Sequence, residues 1–239
     1  MCSTKKLYYF DNNMFVCNAK IINIHESAIE VDQTIAYPEG GGQEGDQGMI
    51  FLAEKPEVRI FFTDTKASIS KCKTGVVILH YVINTHDLKL FNREDKVCIK
   101  IDYIRRKMLS TSHSAIHIIY WAIDLFKKGI VENTIGCHIN TDTARLDLSV
   151  LNRFTKDDID KIEAIANEII DQGYKIKINS SDHYKNIRYW VCENYIIPCG
   201  GTHVNNTKEI PYIQLRRKNI GKGKERIMFV WRNNEDIIK

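Results

Sequence analysis

Four residues have side chains whose types and spacing could do chemistry. His113 and His117 stand four apart in Ser-His-Ser-Ala-Ile-His. Residues at i and i+4 share one face of a helix a turn apart, so two imidazoles there can meet one ion. Cys199 and His203 bracket the run Cys-Gly-Gly-Thr-His. Its glycines leave the backbone free to bring both ligands to one point. Three imidazoles and one thiolate suit zinc in a tetrahedral site. Metallopeptidase chemistry is excluded, because it needs Glu as general base in His-Glu-x-x-His, and Ser114 holds that position.

A second stretch of unusual composition runs from Thr34 to Gly48 and contains Gly40, Gly41, Gly42 and Gln43 in succession. Consecutive glycines let a backbone approach a ligand closely or take positive φ. No Gly-Lys-Ser/Thr follows and the G-x-G-x-x-G spacing is absent, so neither a P-loop nor a dinucleotide fingerprint is present. A ligand-approaching loop and a plain hairpin loop of a β barrel both fit the composition.

The elements that must position these residues change character near residue 102. Short β-rich runs at 6–10, 15–24, 49–52, 58–63, 76–83 and 97–101 are separated by Gly, Asn and Asp, the pattern of a small antiparallel barrel. From 103 to 128, Ile116, Ile119, Ile123 and Phe126 recur at helical spacing, and Gly129 is a stop. Two short strands are expected within 135–150. A second helix starts after Thr155, with Asp158 completing a capping box, and ends at Gly173. A strand at 175–178, a short helix at 181–189 and strands at 212–215 and 226–231 follow. The fold class expected is α+β: a barrel over 1–102 packed on an α+β domain over 103–239.

Composition bounds the rest. The 239 residues carry 34 Lys+Arg against 30 Asp+Glu, a net charge of +4. Hydrophobic residues make up 44%, which excludes a disordered or fibrous chain. The N-terminal stretch lacks a secretory core. The longest apolar run, 118–123, is far short of the ~20 residues that span a bilayer. A cytoplasmic protein with no membrane partner is therefore expected. Seven irregularly spaced cysteines do not read as a disulfide framework. Two basic clusters, Arg105-Arg106-Lys107 and Arg216, Arg217, Lys218, Lys222, Lys224 and Arg226, suit phosphate contacts or a solvated charged face.

Several motifs align in order with one family: Tyr37-Pro-Glu-Gly-Gly-Gly-Gln43, His113-x-x-x-His117, Gly136-x-His-Ile-Asn with Arg145-Leu-Asp147, and Cys199-Gly-Gly-Thr-His-Val204. The chain resembles the editing domain of alanyl-tRNA synthetase and, more closely, the free-standing AlaX-type editing proteins of intermediate length. The resemblance implies a zinc-dependent aminoacyl-tRNA ester hydrolase with His113, His117, Cys199 and His203 as ligands. The implied substrate is Ser-tRNA(Ala), with Gly-tRNA(Ala) second.

A synthetase pocket separates amino acids differing by one small group only about 10–200-fold, which is why a second, hydrolytic site is needed. Such a site must spare alanine, so Thr34 or Gln43 is expected to hydrogen-bond the serine hydroxyl, within a loop that also holds Gly40, Gly41 and Gly42. Arg105, Arg106, Arg216, Arg217, Lys218, Lys222 and Lys224 are expected along the tRNA backbone. The length leaves no room for an aminoacylating domain, so the tRNA would be met in trans. Two alternatives stand beside this reading. One is a zinc-stabilised RNA-binding module without catalysis. The other is the same hydrolysis on Ser-tRNA(Thr). His138 is expected to have a structural partner on its strand rather than to face the pocket.

Overall fold

Alternation of buried and exposed residues, as in Val97, Ile99 and Ile101 against Lys96 and Lys100, closes the first half of the chain into a barrel. The computed structural model describes residues 3–69, 75–180 and 187–232. Its contacts divide the chain into two units: Met1–Gly40 with Glu44–Arg106, and Gly41–Gln43 with Lys107–Lys239.

In the first unit, β1 (Lys5–Lys6) pairs in parallel with β4 (Gln33–Thr34). The barrel is formed by β2 (Val16–Ile24), β3 (Ala28–Val31), β5 (Gly48–Leu52), β6 (Arg59–Ile69), β7 (Val76–Val82) and β8 (Lys96–Ile101). Its order is β2-β3-β7-β6-β5-β8, antiparallel at every joint. Inward-facing Ile21, Ile29, Ile50, Ile60 and Ile99 fill it. The strand expected at 6–10 is not formed. Only Lys6 of that run lies in a strand, and Leu7–Tyr9 turn as a 3-10 helix, with Tyr8 buried edge-on against the Tyr37 ring.

The second unit is built on two helices. α1 (Tyr103–Phe126) starts in the first unit and carries Ile116, Ile119 and Ile123 into the second unit's core. α2 (Lys156–Gln172) has the expected capping box at Thr155 and Asp158, and a left-handed Gly173 at its end. Its stripe of Ile159, Ile162, Ala166 and Ile169 is buried. β9 (Thr134–Ile139) and β10 (Ala144–Ser149) form the strand pair expected between the helices. β11 (Ile176–Ser180), β12 (Arg188–Cys192) and β13 (Tyr195–Pro198) make a three-stranded antiparallel sheet. β14 (Ile213–Gly221) and β15 (Lys224–Trp231) join the first pair in a sheet of order β14-β15-β10-β9. Leu146, Leu148, Ile227 and Phe229 bury its inner face.

The helix expected at 181–189 falls largely on 181–186, outside the described residues, and Arg188 and Tyr189 belong to β12. β14 outruns its expected end at residue 215. Its ladder continues through Arg216, Arg217 and Lys218 after the buried alternation stops.

Candidate functional site

The helical spacing and the glycine loop do converge. His113 and His117 project from one face of α1, with ring centroids 4.8 Å apart. The loop after β13 brings Cys199 and His203 to them, and the ligand atoms of all four lie within 4.8 Å of one another. The Cys199 Sγ is 3.4 Å from His113 Nε2 and 3.3 Å from His203 Nε2. All three histidines are buried.

The opposite ring nitrogens explain these orientations. His113 Nδ1 donates to Gln43 Oε1 at 2.7 Å. The same oxygen accepts from the Thr202 backbone N–H at 3.1 Å, and Gln43 Nε2 donates to Thr202 Oγ1 at 3.0 Å. A flipped amide would set two donors against that N–H, so the network fixes Gln43 and, through it, the His113 tautomer. Ser114 Oγ donates to the Ser110 carbonyl and accepts from Val204 N–H, and it lies 3.2 Å from His203 Nδ1. The residue that breaks the peptidase pattern therefore positions His203. Both histidines direct Nε2 towards the thiol. His117 is held edge-on by the fully buried Trp190, and its Nδ1 has no hydrogen-bond partner among the described residues.

Gly201 makes this approach possible. A Cβ there would lie 2.2 Å from His113 Cε1 and 3.0 Å from Gln43 Oε1. At Gly42, φ is +86°, and a Cβ would press on the Cys137 backbone at 3.0 Å. Gly42 accepts from Ile139 N–H at 2.8 Å, which fastens the Gly41–Gln43 segment beside β9.

Burial sets the charge state. Desolvation pushes the His113 imidazole down to about 3 and moves His117 and His203 well below the usual histidine range. It raises the Cys199 thiol to about 11. Neutral imidazoles are the form that binds metals, and the thiol would give up its proton on binding. The four residues could hold a metal ion, which would also give the orphaned His117 Nδ1 or its partner nitrogen a ligand to meet.

Beside the cluster lies a cavity of about 240 Å³. Gly41, Cys137, Tyr120 and Ile197 line it together with His113, His117 and Cys199. Among all its lining residues there is no carboxylate. Sequence reasoning missed Cys137 and Tyr120. The signal was strand alternation: with His138 exposed on β9, its neighbour Cys137 has to face inward.

Other expected site residues have different surroundings. Gln43 spends its carboxamide on His113 and Thr202 rather than holding it free for a serine hydroxyl. Thr34 is fully buried in the barrel unit, 2.9 Å from His80 Nε2, and accepts from Ala36 N–H. Gly40 accepts from the Tyr37 hydroxyl.

Arg106 is 2% exposed and ion-paired to Asp46, with further bonds to the Asn12 and Ile35 carbonyls. That guanidinium is structural, so Arg106 leaves the group of phosphate contacts. Arg105 pairs with Glu44 at 2.7 Å. Arg217 pairs with buried Glu225, while Arg216, Lys218, Lys222 and Lys224 are exposed.

Residues 189–228 match the family model described as the threonyl and alanyl tRNA synthetase second additional domain. The alanyl-tRNA editing protein AlaX-M of Pyrococcus horikoshii is 30% identical over 230 residues, covering 94% of this chain and 96% of that protein. The chain belongs to the AlaX family of alanyl-tRNA editing proteins. Two alanine–tRNA ligases extend the relationship beyond AlaX. That of Methanococcus aeolicus is 30% identical over 246 residues, covering 95% of this chain and 25% of the ligase. That of Pyrococcus furiosus is 29% identical over 265 residues, covering 99% and 28%. The AlaX chain thus spans about a quarter of the ligases it matches. No described helix is long and apolar enough to cross a membrane.

Proposed function

We propose that the chain hydrolyses, in trans, the ester joining a wrong amino acid to alanine tRNA, with Ser-tRNA(Ala) the main substrate and Gly-tRNA(Ala) the second. The observation that carries the reading is the four-ligand cluster in the wall of a small cavity, in a chain of this family. The cofactor is zinc. Zinc–sulfur and zinc–nitrogen bonds of about 2.3 and 2.05 Å at a tetrahedral angle put sulfur and nitrogen about 3.6 Å apart. The spacings from Cys199 Sγ to the two histidine nitrogens, 3.4 and 3.3 Å, come within about 0.3 Å of that value. Bound there, zinc would supply Lewis-acid polarisation to an ester carbonyl or a water.

The chain's own residues bind and orient. A cavity of about 240 Å³ has the volume of about eight waters, enough for a small aminoacyl group and an attacking water. Ile116 and Ile197 give it apolar walls, and Gly41 and Gly200 leave the backbone open to close approach. With no carboxylate on its lining, the cavity offers no acidic side chain as general base, and the proton of the attacking water would leave through solvent or a substrate hydroxyl. tRNA is the partner, and the cytoplasm the compartment. The test is a deacylation panel: seryl-, glycyl- and alanyl-charged alanine tRNA, with serine-charged threonine tRNA as control. Hydrolysis of the first two with alanine spared supports the proposal. Preference for the threonine tRNA, or binding without turnover, would replace it with one of the alternatives.

A further inference from the structure

The sheet β14-β15-β10-β9 buries one face, and the proposed hydrolysis uses none of the other. Register places Arg216, Met228, Arg145 and His138 side by side across its four strands. Two residues along, Lys218, Arg226, Asp147 and Gly136 form a second row on the same face. At about 4.8 Å per strand step each row is about 14 Å long. Arg216, Lys218 and His138 are exposed, and Arg145 and Arg226 are half-buried.

Four cations therefore face one carboxylate. Asp147 is nearly buried and accepts from Arg226 at 2.7 and 2.9 Å while also pairing with Arg145. It orders two guanidiniums in the plane of the face and cannot neutralise both. The Arg145-x-Asp147 motif, which the metal cluster leaves unexplained, has its role here. Both rows end on β9. Between Gly136 and His138 stands Cys137, whose side chain lines the cavity beside the metal cluster.

We propose that this face holds the sugar–phosphate backbone of an RNA whose 3′ end enters that cavity. The proposal rests on the hydrolytic reading, since the RNA is the molecule carrying the ester. Arginine forks held in place suit phosphate oxygens. An acidic protein partner would need an apolar, aromatic centre, and Met228 is the single apolar side chain in the two rows. The face retains Arg216 and Lys218 from the expected tRNA contacts and adds Arg145 and Arg226. It omits Arg217, which pairs with Glu225 on the other side of the sheet.

The test is binding of uncharged alanine tRNA transcript to the zinc-loaded protein, followed by fluorescence anisotropy across a potassium chloride series. Removing two phosphate contacts in R216Q/K218Q should flatten the slope of log K against log salt by about 1.4–1.8 and weaken binding at least tenfold at low salt. R216K/K218R should restore the slope, and K96Q/K177Q, exposed lysines elsewhere, should keep it. A wild-type slope in R216Q/K218Q, or an equal loss in K96Q/K177Q, would overturn the proposal. Failure of the hydrolytic reading is separable. Deacylation with an unchanged slope removes the RNA face and keeps the hydrolase, whereas a flattened slope without deacylation does the reverse.

Discussion

Replacing Gln43 with Met removes a carboxamide while keeping most of its volume. Three hydrogen bonds go: to His113 Nδ1 at 2.7 Å, to Thr202 N–H at 3.1 Å and to Thr202 Oγ1 at 3.0 Å. Thr202 Oγ1 keeps Ser110 at 2.8 Å, but two buried donors, the His113 Nδ1–H and the Thr202 N–H, are orphaned. Each orphan costs about 1–3 kcal/mol, so stability should fall by about 2–6 kcal/mol. The metal should feel it separately. Losing the outer partner that orients a ligand costs about 10–100-fold in affinity, or about 1.4–2.7 kcal/mol. Zinc affinity measured by competition with a chromophoric chelator, beside a urea unfolding curve, reads both. Gln43→Glu, whose carboxylate can accept the same two donors, should retain wild-type zinc affinity. Equal zinc affinity in Gln43→Met and wild type would refute the positioning argument, whatever happened to stability.

Three further expectations follow from local geometry. Gly201→Ala places a methyl 2.2 Å from His113 Cε1, so purified protein should lose bound metal by elemental analysis. Asp46→Ala strands Arg106, 2% exposed, and should destabilise the protein by about 3–5 kcal/mol in urea. His80 is buried with its pKa lowered from 6.5 to about 4 by desolvation, so the unfolded chain binds its proton at a higher pH than the folded one. Its contribution is full above pH 6.5 and is lost as the pH falls towards 4. The total is about 3 kcal/mol, which His80→Gln should remove from the acid limb of a stability–pH profile.

Most of what the sequence discloses here is local chemistry. Thr155 and Asp158 announce the start of α2 because a capping box is a three-residue affair, and Ile116, Ile119 and Ile123 announce α1 because helical period is visible in one segment. The four residues that could hold a metal ion were legible as two pairs, each bound to its own backbone geometry. What was not legible depends on partners distant in sequence. Gln43 looks like a substrate contact until His113 and Thr202 are seen to consume its amide. Arg106 reads as one of a basic run, yet Asp46, 60 positions earlier, buries it. Cys137 is overshadowed by His138 until the pairing of β9 and β10 decides which of them faces the cavity. Residues 216–218 read only as a basic cluster beyond a strand ending at 215, since their strand character lies in the ladder with β15 rather than in their own alternation.

If the His113, His117, Cys199 and His203 cluster holds the zinc that the proposed hydrolysis requires, removing the metal must stop turnover. The direct measurement is the rate of seryl ester loss from Ser-tRNA(Ala) with protein stripped of metal, with the same protein after one equivalent of zinc, and with Cys199→Ala treated likewise. Turnover is expected only in the zinc-restored wild type, with Ala-tRNA(Ala) left intact. Full turnover by verified metal-free protein, or by Cys199→Ala, would overturn the zinc assignment.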